Sequence, residues 1–266
     1  MGNDTTVNVV TSYYNDLHKL NWLDLVFSKN YNLVLYTKDN NLKIGETEIR
    51  ENEIAIPNYG RCDYAFFHYI ISNYNDLPDY TVFTKIHWKE QGIDFYKLLD
   101  ECVKYDYYEV GQGLHSYVWY NNDNLHLKEI PSQSYQNVDT PMVTGNPFNL
   151  ENRFAGPNGD IPAKLETFED WYNHIFPDRN NLPGKIYAFD HAPCFSVSRE
   201  LIRRHPIEVY QYLFERFHPD SKSWDCNIRS IEEIGRHFHD NFVRFYGLLF
   251  THAIDKTKFN VYPPQP

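Results

Sequence analysis

The sequence is short of the features that mark several large classes of protein. Its 266 residues include four cysteines, Cys62, Cys102, Cys194 and Cys226, widely spaced and without a C-x-x-C pair. Neither a structural zinc site nor a dense disulfide framework is indicated, and a reducing compartment fits. No apolar run approaches the ~20 residues needed to span a bilayer, and the opening stretch lacks the apolar core of a secretion signal. The expectation is a soluble, intracellular, cytoplasmic protein. Positive charge is also scarce: 25 Lys and Arg stand against 36 Asp and Glu, a formal charge of -11, with no Lys/Arg run. That argues against a sequence-independent nucleic-acid binder, which needs clustered cations along a phosphate backbone. A nucleotide-sized ligand needs only a few local cations and stays compatible. There is no G-x-S-x-G motif for a serine hydrolase, no P-loop lysine motif for a kinase or nucleotidase, and no internal repeat.

Aromatic residues are abundant, with 22 Tyr, 18 Phe and 5 Trp. Most such rings serve a core or an amphipathic surface. Some could stack on a nucleobase or on the apolar faces of sugars, and Tyr13, Tyr14 and the region from Tyr105 to Tyr120 are the candidates. The length predicts one large α/β domain over 1–266. Val7 to Ser12 reads as a buried strand, followed by a short helix with Leu17, Leu20 and Trp22 inward, and Asn32 to Thr37 as a second strand. The turn Pro57-Asn58-Tyr59-Gly60-Arg61 opens a helix whose Phe66, Phe67, Ile70, Ile71 and Tyr74 share one face, and Asn75 to Asp79 leads into the strand Tyr80 to Thr84. Strand and helix thus alternate, which favours a mostly parallel sheet flanked by helices. Ligands of such sheets collect at the strand carboxyl ends, where Ser12, Tyr13, Asn15, Asn58, Lys85 and His87 fall.

Further helices are predicted over Ile93 to Tyr105, Glu166 to Phe176, Arg199 to His205, Ile207 to Phe217 and Ile231 to Leu249, and a strand over Lys185 to Phe189. The proline-rich stretch from Asn121 to Pro162 reads as long irregular loops.

Three stretches carry a family resemblance: Asn58-x-Gly60-Arg61, the run Asn73 to Phe83, and Cys194-Phe195-Ser196-Val197-Ser198-Arg199-Glu200-x-Ile202, with the opening Tyr14-Asn15-Asp16-Leu17-x-x-Leu20-x-Trp22. From Val7 to Phe250 the chain resembles a glycosyltransferase-like family of eukaryotes and large DNA viruses, many of whose members are labelled only as domains of unknown function. The resemblance implies a GT-A-type, Rossmann-like fold, with a donor nucleotide-binding half (1–105) and an acceptor-side half (106–266). It also implies a nucleotide-sugar-dependent transferase, with a UDP-sugar as donor and a glycan or glycoprotein as acceptor. A viral xylosyltransferase using UDP-xylose is the nearest concrete picture.

On the donor side Ser12, Tyr13, Asn15, Asp16, Asn58, Gly60, Arg61, Lys85 and His87 are the candidates. Gly60 permits a turn that a β-carbon would obstruct, and the helix it opens presents N–H groups and a positive dipole end to a phosphate. Arg61 at that helix start opposes the dipole and calls for an anion nearby. A GT-A transferase usually carries an Asp-x-Asp pair for Mn or Mg just after a central strand, and here that place reads Thr84-Lys85-Ile86-His87-Trp88. The chain departs from the pattern at this point. Either no metal is required and Arg61, Lys85 and His87 face the departing diphosphate, or a divalent cation is held elsewhere. Asp76 and Asp79 are the remaining acidic pair, although they precede the strand and read as a turn.

Asp190 is the first choice for the base that takes the acceptor proton in an inverting transfer, and His191 the second. The bland alternative makes Asp190 a turn cap and His191 a satisfied buried ring. His237 and His239 point about 200° apart on a helix and cannot share an ion. Arg199, Arg203, Arg204 and His205 read as a solvated face or as a charge complement to a helix carboxyl end. A non-catalytic carbohydrate-binding protein on the same fold is the competing function. A metal-dependent hydrolase using the scattered histidines has less support.

Overall fold

The computed structural model describes residues 5–15, 22–43, 45–58, 60–86, 88, 94–110, 114–121, 124–131, 187–190, 194–215, 246–251 and 259–261. Five strands and three helices come from the first part of the chain: β1 (Val7–Tyr13), α1 (Leu23–Ser28), β2 (Asn32–Asp39), β3 (Glu48–Arg50), β4 (Glu53–Pro57), α2 (Arg61–Asn73), β5 (Tyr80–Lys85) and α3 (Phe95–Glu101). Then follow β6 (Tyr107–Glu109), β7 (Leu114–Asn121), β8 (Asn124–Pro131), β9 (Tyr187–Asp190), β10 (Phe195–Ser198), α4 (Arg199–Arg203), α5 (Ile207–Glu215), α6 (Tyr246–Thr251) and β11 (Phe259–Val261).

The eight-stranded sheet has the order β11-β6-β10-β5-β1-β2-β4-β3, and β8-β7-β9 form a second, antiparallel sheet. In the large sheet β1 pairs in parallel with β2 and β5, β2 with β4, and β6 with β11. Only β10, between β5 and β6, and the edge strand β3 run the other way. The fold is α/β with a mixed sheet, and six of its eight strands share one direction.

Alternation along the strands assigns the two faces, because successive side chains point to opposite sides. Val10, Tyr36, Ile56, Phe83, Tyr107 and Phe195 pack with α2, α4, α5 and α6 in one buried cluster. Val9, Val82, Tyr108 and Cys194 pack with α1 and α3 in the other. Phe195 joins the first cluster, with ring centroids 4.7 Å from Tyr246, 5.2 Å from Phe83 and 5.7 Å from Phe250. Helix starts follow the local chemistry: the Asp94 carboxylate accepts from the Lys97 N–H at 3.0 Å and the Ser198 hydroxyl from the Leu201 N–H at 3.3 Å. α2 instead starts at Gly60, in the left-handed region at φ 55°, where a side chain would be strained.

Several expectations are corrected. Asn124–Pro131 lies in the stretch read as irregular loop but is strand β8, paired along its length with β7. β3 and β4 were not foreseen; they form a hairpin whose Ile54 and Ile56 supply the strand alternation. Cys194 to Ser198 contains the antiparallel strand β10, and Asp190 is the last residue of β9 rather than a residue beyond a strand. The helix over Glu166 to Phe176, most of that over Ile231 to Leu249, and the pair His237 and His239 lie outside the described residues.

Candidate functional site

Two residues beyond a core position on a strand, the next side chain points to the same face. On four strands that step leads from the core to a polar group at the carboxyl end: Val10 to Ser12, Tyr36 to Lys38, Phe83 to Lys85 and Tyr107 to Glu109. Ser12 pairs with Lys85 and with Tyr36 across parallel ladders, so these three project together. Over them lies the first turn of α2, with Cys62 and the wholly buried Asp63. The buried charged residues among those described are Lys38, Asp63 and Glu109, and all three lie on this face at this end of the sheet. Removing an ion from water costs several kcal/mol even after relaxation, so three in one place is an arrangement that burial alone disfavours.

Each of the three has a partner among the surrounding aromatic residues. Asp63 accepts from the Tyr246 hydroxyl at 2.8 Å, and Glu109 from the Tyr107 hydroxyl at 2.8 Å. Lys38 Nζ lies 5.0 Å from the centre of the Tyr64 ring, a cation–π distance. Burial pushes the Lys38 ammonium down to about 7, while Cys62 and Asp63 nearby favour its charge. The Cys62 thiol is pushed well up by burial and by Asp63, against the pull of Lys85 and Lys38, which makes it an inert thiol. Both lysines therefore act on the start of α2. His68, one turn further along α2, is held down to about 4 by burial and by Lys38, and its ring faces the Tyr36 hydroxyl at 3.2 Å.

The outer rim is neutral or paired. Asn40 Nδ2 donates to the Tyr14 hydroxyl at 2.6 Å, and Asn58 Nδ2 to Asn40 Oδ1 at 2.9 Å, which links the ends of β1, β2 and β4. Asn15 adopts φ 55°. Tyr13 is buried and donates to Glu53; Arg50 joins that carboxylate at 3.7 Å to Asp39 at 2.7 Å.

The structure thus brings Ser12, Tyr13, Asn15, Asn58, Gly60 and Lys85 to one edge. Arg61 is the first residue of α2 and Asp190 the last of β9, both placed by backbone, while Asp16, His87 and His191 lie outside the described residues. Lys38, Asp63 and Glu109 were missed. Their signal was a charge set two residues after an aromatic strand residue or inside an apolar helix start, which in one dimension looks like an ordinary surface charge.

Asp76 and Asp79 lie at the other edge. Asp79 accepts from the Thr6 N–H at 2.8 Å, the Thr6 hydroxyl at 3.0 Å and Arg199 at 2.6 Å, and these bonds hold its carboxyl below the usual range, the backbone one foremost. Arg203 donates to the Tyr74 and Asn75 carbonyls at 3.2 and 2.6 Å, complementing the carboxyl end of α2. Among the described residues no group of three His, Cys, Asp or Glu side chains could hold a metal. The central strand β5 ends in Thr84-Lys85, and an ammonium there repels a divalent ion rather than ligating it.

The small sheet grows out of this edge. Glu109 pairs with Phe195, and the Val110 N–H donates to the Cys194 carbonyl at 3.0 Å. In the small sheet His115 of β7 pairs with Asp190 of β9. Asp190 lies four residues before Cys194, within about 14 Å of it.

Fold and edge together define an α/β protein with a buried, mixed-charge cluster at the carboxyl ends of its sheet. The chain belongs to the family described as "Protein of unknown function (DUF3431)", whose model matches residues 9–234. That span contains Ser12, Lys38, Asp63, Lys85 and Glu109. No curated protein and no solved structure was found to match the chain. No described helix is long and apolar enough to cross a membrane.

Proposed function

We propose that the protein is a nucleotide-sugar-dependent glycosyltransferase of the GT-A type, inverting, with a UDP-sugar donor and a glycan or glycoprotein acceptor. The observation that carries this reading is the convergence of Ser12, Lys38, Lys85 and the start of α2 at one sheet edge, beside the buried carboxylates Asp63 and Glu109. The donor diphosphate sits at the start of α2, where Lys38 and Lys85 balance the charge that grows on its oxygens as the sugar departs. Arg61 and His87 add to that balance, while Asn15, Asp16 and Asn58 shape the rim. A divalent cation would supply the same charge balance, and Lys85 occupies the place where its ligands are usual. The acceptor side is formed by the β6–β10 ladder and its continuation, which carries Asp190.

A second reading, a carbohydrate-binding protein without turnover, is favoured by the absence of a carboxylate pair after β5. A thermal-shift panel of UDP, UDP-glucose, UDP-xylose and UDP-N-acetylglucosamine, with manganese and with chelator, tests binding. Release of UDP separates the two readings. Binding restricted to the native state stabilises by about 2.7 kcal/mol at a hundredfold excess over Kd. No response to any of these at millimolar concentration would sink the transferase.

A further inference from the structure

We propose that Glu109, at the end of β6, is the group that takes the proton from the acceptor hydroxyl. This assignment rests on the transferase reading above and replaces the sequence expectation for Asp190. Glu109 is buried, shares the α2 face of the large sheet with Lys85, Ser12 and Lys38, and is level with Phe83, one side-chain step before Lys85. Asp190 belongs to the small sheet, as the last residue of β9.

β6 and β5 are separated by β10 alone, two strand spacings or about 10 Å, and Glu109 is level with Phe83, two residues before Lys85, so the two backbone positions lie about 12 Å apart. An in-line transfer needs about 3 Å from base to acceptor oxygen and about 3–3.5 Å from that oxygen to the reacting carbon. The breaking bond adds about 1.5 Å, and about 2.8 Å separates the departing oxygen from a cation. The total is about 10 Å, a span that a Glu and a Lys side chain can frame from backbone positions about 12 Å apart. Glu109 and Lys85 can thus face the two ends of one reacting line. The acceptor oxygen forms its bond to the anomeric carbon while its proton passes to the Glu109 carboxylate. The bond from that carbon to the diphosphate oxygen breaks, its electron pair leaves with the diphosphate, and Lys85 faces the new charge. Tyr107 is a positioning residue, because its hydroxyl donates to Glu109 and holds the carboxylate on the sheet edge.

The test uses the full chain and the same panel of UDP-sugars, measuring UDP affinity by calorimetry and UDP release by a coupled assay. Glu109→Gln is expected to bind UDP within about threefold of the wild type and to lose roughly two to four orders of magnitude in UDP release. Asp190→Asn should lose less than tenfold. Tyr107→Phe should keep affinity, lower kcat more than it changes KM, and move the acid limb of the pH–rate profile upward, since a hydrogen bond that favoured the charged carboxylate is gone. Near-wild-type release by Glu109→Gln, in a protein whose wild type is active, overturns the Glu109 assignment and leaves the transferase standing. A Gln variant that no longer binds UDP makes Glu109 part of the fold or donor site and also overturns it. A wild type that neither binds nor turns over any of the panel overturns both.

Discussion

The two ends of the same sheet are built on opposite principles. At the amino edge Asp79, Arg199 and Arg203 have local structural partners: Asp79 ties β5 to Thr6 before β1 and to Arg199 at the start of α4, and Arg203 closes the end of α2. These groups are partly exposed, and their bonds join chain segments far apart in sequence. At the carboxyl edge Lys38, Asp63 and Glu109 are buried, and a residue in a left-handed conformation, Gly60, opens the helix above them. The first edge fastens the fold, whereas the second concentrates buried charge. Each of the following experiments should separate the edges.

Phe195→Ala has the largest expected effect on the fold, because that ring lies between the β5, β6, α2 and α6 aromatics that both edges share. A loss of about 3–5 kcal/mol is expected in urea unfolding, and with it the ligand response. Asp79→Ala comes next. It removes bonds from Thr6 and Arg199, which together contribute about 2–3 kcal/mol after allowance for solvent screening. The surviving folded fraction should bind nucleotide normally. Since the folded Asp79 carboxyl is held below its unfolded value, its contribution is present above about pH 4 and is lost as the pH falls through the folded value. An acid unfolding midpoint that does not move in this variant would show that Asp79 is no fastener.

At the other edge Lys38→Met should leave the urea midpoint closer to wild type than Asp79→Ala does. It should weaken UDP binding about ten- to a hundredfold, the worth of one charge-assisted bond to phosphate. An unchanged affinity would remove Lys38 from the site.

The most gradual effect is on pH dependence. With Lys38 near 7 in the folded protein and 10.5 unfolded, the unfolded chain holds the extra proton between those values. The ligand-free protein therefore gains stability as the pH rises through that window, by at most about 1.4 kcal/mol per unit. Anion binding runs the other way, favoured below about pH 7 and weakening above it, with proton uptake measurable by calorimetry in buffers of different ionisation heat. Of the groups facing Lys38, His68 titrates near 4, and Cys62 stays a thiol throughout the window. A flat profile from pH 6 to 9 would contradict the role of Lys38.

What the sequence disclosed follows the range of the interactions involved. β1, β2, α2 and β5 were legible because each is a local pattern, period two or three to four, with α2 opened by a recognisable glycine turn. The alternation of Ile54 and Ile56 in β4 was equally local and went unread beside the stronger turn signal of Pro57 to Gly60. β10 is four residues long and exists through pairing with β5 and β6, over a hundred and about ninety positions away in sequence, so no local pattern announces it. The run Asn73 to Phe83 and Ser198-Arg199-Glu200, which carried the family resemblance, belong to the amino-edge fastening rather than to the candidate site. Ser12, Asn58 and Lys85 were placed at this edge by the rule of strand carboxyl ends. Lys38, Asp63 and Glu109 were not, because burial of a charge becomes visible only when the helix that covers it is in place.

On the proposed function, the carboxyl edge recognises phosphate and the amino edge does not. Calorimetric titration of UDP into the wild type, the double variant Lys38→Met/Lys85→Met and Asp79→Ala, at low salt and pH 6.5, sets one edge against the other. Saturable binding by the wild type and by folded Asp79→Ala, with none by a folded double variant, is the predicted result. Binding that survives in the double variant, or is absent from the wild type, would contradict it.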